Sequence, residues 1–75
     1  MFQEKVVVVT GGAGGIGKCI AEEFRAQGAH VCVIDWVEGP HFVGDIADKA
    51  VLETFARSVI AEYGRVDVLV NNAPP

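Results

Sequence analysis

An α/β fold, a parallel sheet with helices on both faces, is what these 75 residues predict, on three observations. Two apolar runs, Val6-Val7-Val8-Val9 and Val31-Cys32-Val33-Ile34, carry no polar residue, the pattern of strands buried on both faces. Stretches of helical period alternate with them, which argues for right-handed βαβ units. A glycine-rich segment joins the first run directly to the first helical stretch. Parallel sheets of this kind take ligands at the carboxyl ends of their strands.

The first strand is Val6 to Val9. After the glycine turn, Ile16, Cys19, Ile20 and Phe24 recur at three- and four-residue steps, with Lys18, Glu22, Glu23 and Arg25 opposite. That spacing predicts an amphipathic helix, ended by Gly28. The second strand, Val31 to Ile34, closes at Asp35. Only nine residues separate Asp35 from Asp45, too few for a helix plus a strand, although parallel neighbours usually need a crossover of a dozen or more. Six extended residues span at most about 20 Å, so His41 to Gly44 is expected as a short strand reached by a tight extended crossover. A helix from Lys49 to Tyr63 follows, with Asp48 as N-cap, Gly64 as terminator, and Leu52, Phe55, Ala56, Val59, Ile60 and Tyr63 on one face. Arg65 to Val70 is the last strand, which Pro74 and Pro75 prevent from continuing.

Residues 1–75 thus read as one partial domain: a three-layer parallel sheet of about four strands and two main helices, with the crossover helix after the second strand missing. A chain of this length buries only roughly 60% of its unfolded surface. A hydrophobic content of 51% suggests that some apolar surface meets further protein.

Composition excludes several classes. The formal charge is −4, and Lys5, Lys18, Arg25, Lys49, Arg57 and Arg65 are spread singly, so no nucleic-acid partner is expected. Met1-Phe2-Gln3-Glu4-Lys5 lacks the pattern of a secretion signal, and no apolar run approaches the roughly 20 residues of a membrane span. Cys19 and Cys32 fall inside a helix and a strand pattern and read as reduced core residues, which suggests a cytoplasmic setting. No spacing of Cys, His, Asp and Glu suggests a metal site, and His30 and His41 read as strand-end residues.

The chemistry concentrates at Thr10-Gly11-Gly12-Ala13-Gly14-Gly15-Ile16-Gly17. Glycines where a strand hands over to a helix let the backbone approach a phosphate and adopt positive φ. The first N–H groups of the helix and its dipole then face the anion. Asp35 stands 18 residues after Gly17, where a carboxylate takes the hydroxyls of an adenosine ribose. A 2′-phosphate there would be repelled by Asp35, and accepting one relies on a nearby Arg or Lys. Gly14 and Trp36 occupy the neighbouring positions, so NAD rather than NADP is the expected cofactor. Gly12 and Gly14 serve either the cradle or as flexible filler. Trp36 either walls an adenine pocket or covers a sheet edge.

With Thr10-Gly11-x-x-x-Gly15-x-Gly17, the acid Asp35, the Gly44-Asp45-Ile46 step and Asp67-Val68-Leu69-Val70-Asn71-Asn72-Ala73 in this order, the chain resembles the amino-terminal portion of a short-chain dehydrogenase/reductase, a Rossmann-like fold. The resemblance implies that Gly11, Gly15, Ile16 and Gly17 line the pyrophosphate and nicotinamide ribose, with Thr10 tying the turn together. It implies that Asp35 holds the adenosine ribose, that Asp45 bonds the adenine amino group with Ile46 packed beside it, and that Asn71 and Ala73 lie along the adenosine side. Competing readings make Asp45 a turn or cap residue and Asn71 or Asn72 a backbone tie at the strand end. Pro74 departs from the glycine usual after Asn-Asn-Ala, and it removes backbone freedom and an N–H at that point.

In that family a serine and a Tyr-x-x-x-Lys motif carry hydride transfer to or from an alcohol or carbonyl substrate, and no such set occurs in this sequence. Tyr63 has no following lysine and Ser58 no proton partner, so both read as structural and no catalytic residue is assigned. Three readings remain. The chain is the NAD-binding portion of an oxidoreductase whose catalytic half lies outside this sequence, a stand-alone nucleotide-binding module, or an assembly piece pairing through an apolar last strand. That bare strand also carries the expectation of a homo-oligomer.

Overall fold

The computed structural model describes residues 2–72. Six elements follow in order: β1 (Val6–Thr10), α1 (Gly15–Ala26), β2 (His30–Asp35), β3 (Phe42–Val43), α2 (Lys49–Tyr63) and β4 (Val68–Asn71). The four strands form one parallel sheet in the order β3-β2-β1-β4. From β1 the chain therefore steps outward to β2 and β3, then returns across β1 to β4. This reversal creates a switch point beside the carboxyl end of β1.

β1 is buried along its whole length, as an unbroken β-branched run requires. Its alternate side chains feed two cores. Val6 and Val8 join Ile34, Phe55 and Val59 under α2, where the Phe42 and Phe55 rings meet at 5.1 Å. Val7 and Val9 join Val33 and Ala21 under α1, with Phe24 half-buried beside them. The three-layer α/β, Rossmann-like arrangement expected from the sequence is the one observed.

Three details differ from expectation. In α1 the buried residues are Gly17 and Ala21, while Ile16 is 73% exposed and Cys19 lies on the surface. The helix sits close to the sheet because those two residues are small, and a hydrophobic-period reading overlooks glycine and alanine. Cys19 is accordingly no core residue. In α2 only Phe55 and Val59 are buried; Leu52 and Ile60 are 38% and 49% exposed. The last strand starts at Val68 rather than Arg65. Asp67 ends the approach to it by accepting a hydrogen bond from Val6 N–H at 2.8 Å while its own N–H donates to the Val6 carbonyl.

The short crossover is not the extended run expected: residues 36–41 are consecutive bends, and the strand they reach is Phe42–Val43 rather than His41 to Gly44. Residues 36–41 contain no helix, and β3 pairs with β2 only at Ile34↔Phe42 and Asp35↔Val43. The chain has just two residues of strand to run back, which six residues span comfortably. The predicted Asp48 cap and Gly64 terminator are both in place. Asp48 accepts from Ala50 N–H, and Gly64 adopts φ 80°.

Candidate functional site

Strand order places Thr10, Asp35 and Asn71 at neighbouring carboxyl ends, because Thr10 pairs in register with both Ile34 and Asn71. The glycine turn leaves β1 between them. Gly11 takes φ 70° and donates its N–H to the Ile34 carbonyl at 2.8 Å, which binds the turn to β2. Gly12 is buried, and a Cβ there would stand 2.9 Å from a Val33 methyl; it is packed, not filler. Gly17 is similarly constrained, since its Cβ would strike the Gly11 carbonyl oxygen. Around Gly14 and Gly15, by contrast, a Cβ would meet nothing within 4 Å.

The buried Thr10 hydroxyl is the knot at the centre. It donates to Asn71 Oδ1 at 2.9 Å and accepts from Asn72 N–H at 3.1 Å. Asn72 Nδ2 then donates to the Gly11 carbonyl at 3.1 Å. Thr10 thus ties the turn to the end of β4, as the resemblance implies. Asn72 is the backbone tie of the competing reading, whereas the Asn71 side chain meets the Thr10 hydroxyl instead of the backbone. Sequence reasoning assigned Asn72 no site role, and its only signal was its place beside Asn71.

Asp35 closes the other side. Its Oδ2 accepts from Ala13 N–H at 3.2 Å and its Oδ1 from Val37 N–H at 3.4 Å. The carboxylate is therefore aimed at the middle of the glycine turn. Ala13 acts through a backbone N–H, for which its side chain carries no signal. Among the described residues no Lys, Arg or His forms an ion pair with Asp35. Trp36, next along the chain, is 76% exposed.

The helix that opens at Gly15 has no side-chain cap. Its N-cap is Gly14, extended at φ −157°, with no acidic residue in the first turn. The N–H groups of Gly15, Ile16 and Gly17 therefore lack intrahelical partners and face the open side of the turn with the positive end of the dipole.

The remaining expected residues lie farther out. Asp45 Oδ1 accepts from Ala47 N–H at 2.9 Å, the turn role weighed against adenine binding. Ile46 is half-buried against the core under α2. Ala73 and Pro74 lie outside the described residues.

Tyr63 and Ser58 are engaged elsewhere. The Tyr63 ring stacks on His30, the first residue of β2, at 5.0 Å, away from the strands' carboxyl ends. A hydrogen bond to Glu62 holds its hydroxyl pKa above the ordinary tyrosine value. Ser58 donates to the Phe55 carbonyl at 2.6 Å. Among the described residues no group of three or more His, Cys, Asp or Glu could hold a metal, and no helix is long and apolar enough to cross a membrane.

This geometry has relatives. A family model described as short chain dehydrogenase matches residues 5–41, the span from β1 through the glycine turn to the loop after Asp35. The chain belongs to the short-chain dehydrogenase/reductase family. A D-threitol dehydrogenase of Mycolicibacterium smegmatis is 38% identical over 85 residues, covering 92% of this chain and 33% of that protein. Among solved structures, ligand-free aldohexose dehydrogenase of Thermoplasma acidophilum superposes with TM-score 0.88 at 36% identity, over 95% of this chain and 30% of that one. A 3-ketoacyl-(acyl-carrier-protein) reductase of Brucella melitensis, complexed with NADH, superposes with TM-score 0.83 at 25% identity, over 89% of this chain and 31% of that one. The chain spans about a third of the length of the curated relatives it matches.

Proposed function

We propose that this chain is the NAD-binding portion of an oxidoreductase that moves hydride between NAD and an alcohol or carbonyl substrate in the complete enzyme. One observation carries the reading: an uncapped helix N-terminus and a carboxylate without a cation face the same glycine turn. The first suits a pyrophosphate and the second a ribose bearing free 2′- and 3′-hydroxyls. The open space around Gly14 and Gly15 leaves room for the phosphates to meet backbone N–H groups.

In this reading Gly11, Gly15, Ile16 and Gly17 hold the pyrophosphate and nicotinamide ribose, with Thr10 fixing the turn. Asp35 holds the adenosine ribose and Trp36 borders the adenine. Asp45 has Oδ2 left for the adenine amino group, backed by Ile46, while Asn71 and Ala73 flank the adenosine. The bound nicotinamide supplies the hydride acceptor or donor; these residues position it. Asp35 disfavours a 2′-phosphate through like-charge repulsion, hence NAD over NADP. The relative complexed with NADH is consistent with that choice.

The exposed apolar residues in β4 and on the approach to it, Leu69 at 65% and Val66 at 44%, support homo-oligomerisation. Free Cys19 and Cys32 suit a reducing, cytoplasmic compartment. Calorimetric titration of the 75-residue chain with NAD, NADP and AMP tests the cofactor assignment. NAD and AMP are expected to bind, with NADP weaker; NADP binding more tightly than NAD would overturn the charge argument.

A further inference from the structure

Asn72 lies just beyond β4, yet its side chain reaches across the switch point to the start of the glycine turn. Nδ2 donates to the Gly11 carbonyl at 3.1 Å, and the Asn72 backbone N–H donates to Thr10 Oγ1, also at 3.1 Å. Gly11 is thereby held from both neighbours of β1, because its own N–H donates to the Ile34 carbonyl of β2 at 2.8 Å.

A third element meets them at this point. A Cβ at Gly17 would collide with both the Gly11 carbonyl oxygen and Asn72 Nδ2. The Asn72 amide therefore sits against the first residue of the turn and the first turn of α1 together.

The peptide held in this way joins two glycines. Gly11, at φ 70°, and Gly12 have no side chain, so no Cβ on either side fixes the orientation of the plane between them. In a planar trans peptide the carbonyl and the following N–H point in opposite directions. Holding the Gly11 carbonyl thus fixes the Gly12 N–H and the path into Ala13. From there the chain meets both halves of the site, since Ala13 N–H donates to Asp35 Oδ2 at 3.2 Å and Gly15 opens α1. Residue type matters as well. A carbonyl needs a donor opposite it, which the amide of asparagine supplies and the carboxylate of aspartate, of the same shape, does not.

On the reading of this chain as NAD-binding, we propose that Asn72 is a positioning residue of the dinucleotide site. By holding the Gly11–Gly12 peptide it sets the spacing between Asp35, which takes the adenosine ribose, and the N-terminus of α1, which takes the pyrophosphate. A ligand that spans both depends on Asn72. One that reaches only Asp35 does not, because Asp35 belongs to β2 and keeps Val37 N–H as a second donor.

NMR titration of the 75-residue chain with NAD and with adenosine, parent against Asn72→Asp, is the test. Asn72→Asp is expected to weaken NAD by at least about tenfold and adenosine by less than about twofold. Asn72→Ala, which removes the donor without adding a charge, should fall between parent and Asn72→Asp for NAD, and it carries the comparison if Asn72→Asp does not fold. Asp67→Asn, which loosens the opposite end of β1 at Val6, is the stability control and should leave both affinities unchanged. In the free chain the Gly11 carbonyl carbon shift should move in the Asn72 variants and stay in place in Asp67→Asn. Equal weakening of NAD and adenosine, which a merely structural role would give, or undiminished NAD affinity in the Asn72 variants, would overturn the proposal and leave the NAD-binding reading standing. A parent chain that binds adenosine but not NAD at millimolar concentration would overturn that reading and the proposal with it.

Discussion

The two helices begin in opposite ways. Both follow a strand and both leave N–H groups without intrahelical partners, as every helix must. At α2 the chain supplies the remedy itself, since the Asp48 carboxylate accepts from Ala50 N–H at 2.9 Å. At α1 the N-cap is Gly14, with no side chain to offer. Capping is worth about 1 kcal/mol, so α1 lacks a stabilisation that α2 shows to be within reach. On the proposed reading, the difference marks the terminus that takes the cofactor's phosphates. The capped terminus follows β3 at the sheet's edge, and the uncapped one sits at the switch point beside central β1.

Four perturbations bear on that contrast. Gly17→Ala should have the largest effect, because the new methyl strikes the Gly11 carbonyl and must displace α1 or the turn. Overpacking of this kind costs roughly 1–3 kcal/mol, and urea melts should show that loss together with loss of NAD binding. If Gly17→Ala were stable and bound NAD normally, close packing of turn and helix would be irrelevant to the site. Asp35→Ala should come next, weakening NAD by about tenfold while relaxing the rejection of NADP, measured by titrating both.

Asp48→Ala should remove about 1 kcal/mol of stability and leave NAD affinity unchanged. Gly14→Ser is its mirror image. The position is extended and open, so serine fits and caps α1, adding a few tenths of a kcal/mol, yet NAD binding should weaken because an internal acceptor now competes for the same N–H groups. Together the pair separates a terminus kept for stability from one kept for a ligand.

The smallest effect concerns another carboxylate bonded to backbone, Asp67. The Val6 N–H, with Arg65 beside it, holds the Asp67 carboxyl below its ordinary pKa. A depressed carboxylate contributes stability above its unfolded value, near pH 4, and that contribution disappears as pH falls through the lower folded value. Thermal melts below pH 4 should therefore fall more steeply for the parent chain than for Asp67→Asn. Equal slopes would mean that Asp67 does not act through its charge.

Much of this was legible in the residues. β1 and β2 announced themselves as unbroken β-branched runs, and Asp48 and Gly64 as helix boundaries, because burial and capping constrain side-chain type directly. The α1 face was misread because Gly17 and Ala21 bury by being small, which leaves no hydrophobic signal. The start of β4 was misplaced because Asp67 uses its side chain, not strand pairing alone, to tie down Val6. At the site, Thr10 was legible as the residue tying the turn, whereas Ala13 and Asn72 were not. Their contributions run through a backbone N–H and through contacts some sixty residues apart in sequence, which local pattern does not encode.

The central claim is that α1 is left uncapped for a dinucleotide. Amide chemical shifts followed during NAD titration of the 75-residue chain test it most directly. Large shifts at Gly15, Ile16 and Gly17, with little change at Lys49, Ala50 and Val51, are the expected result. Equal perturbation of both termini, or shifts that spare the glycine turn, would contradict it.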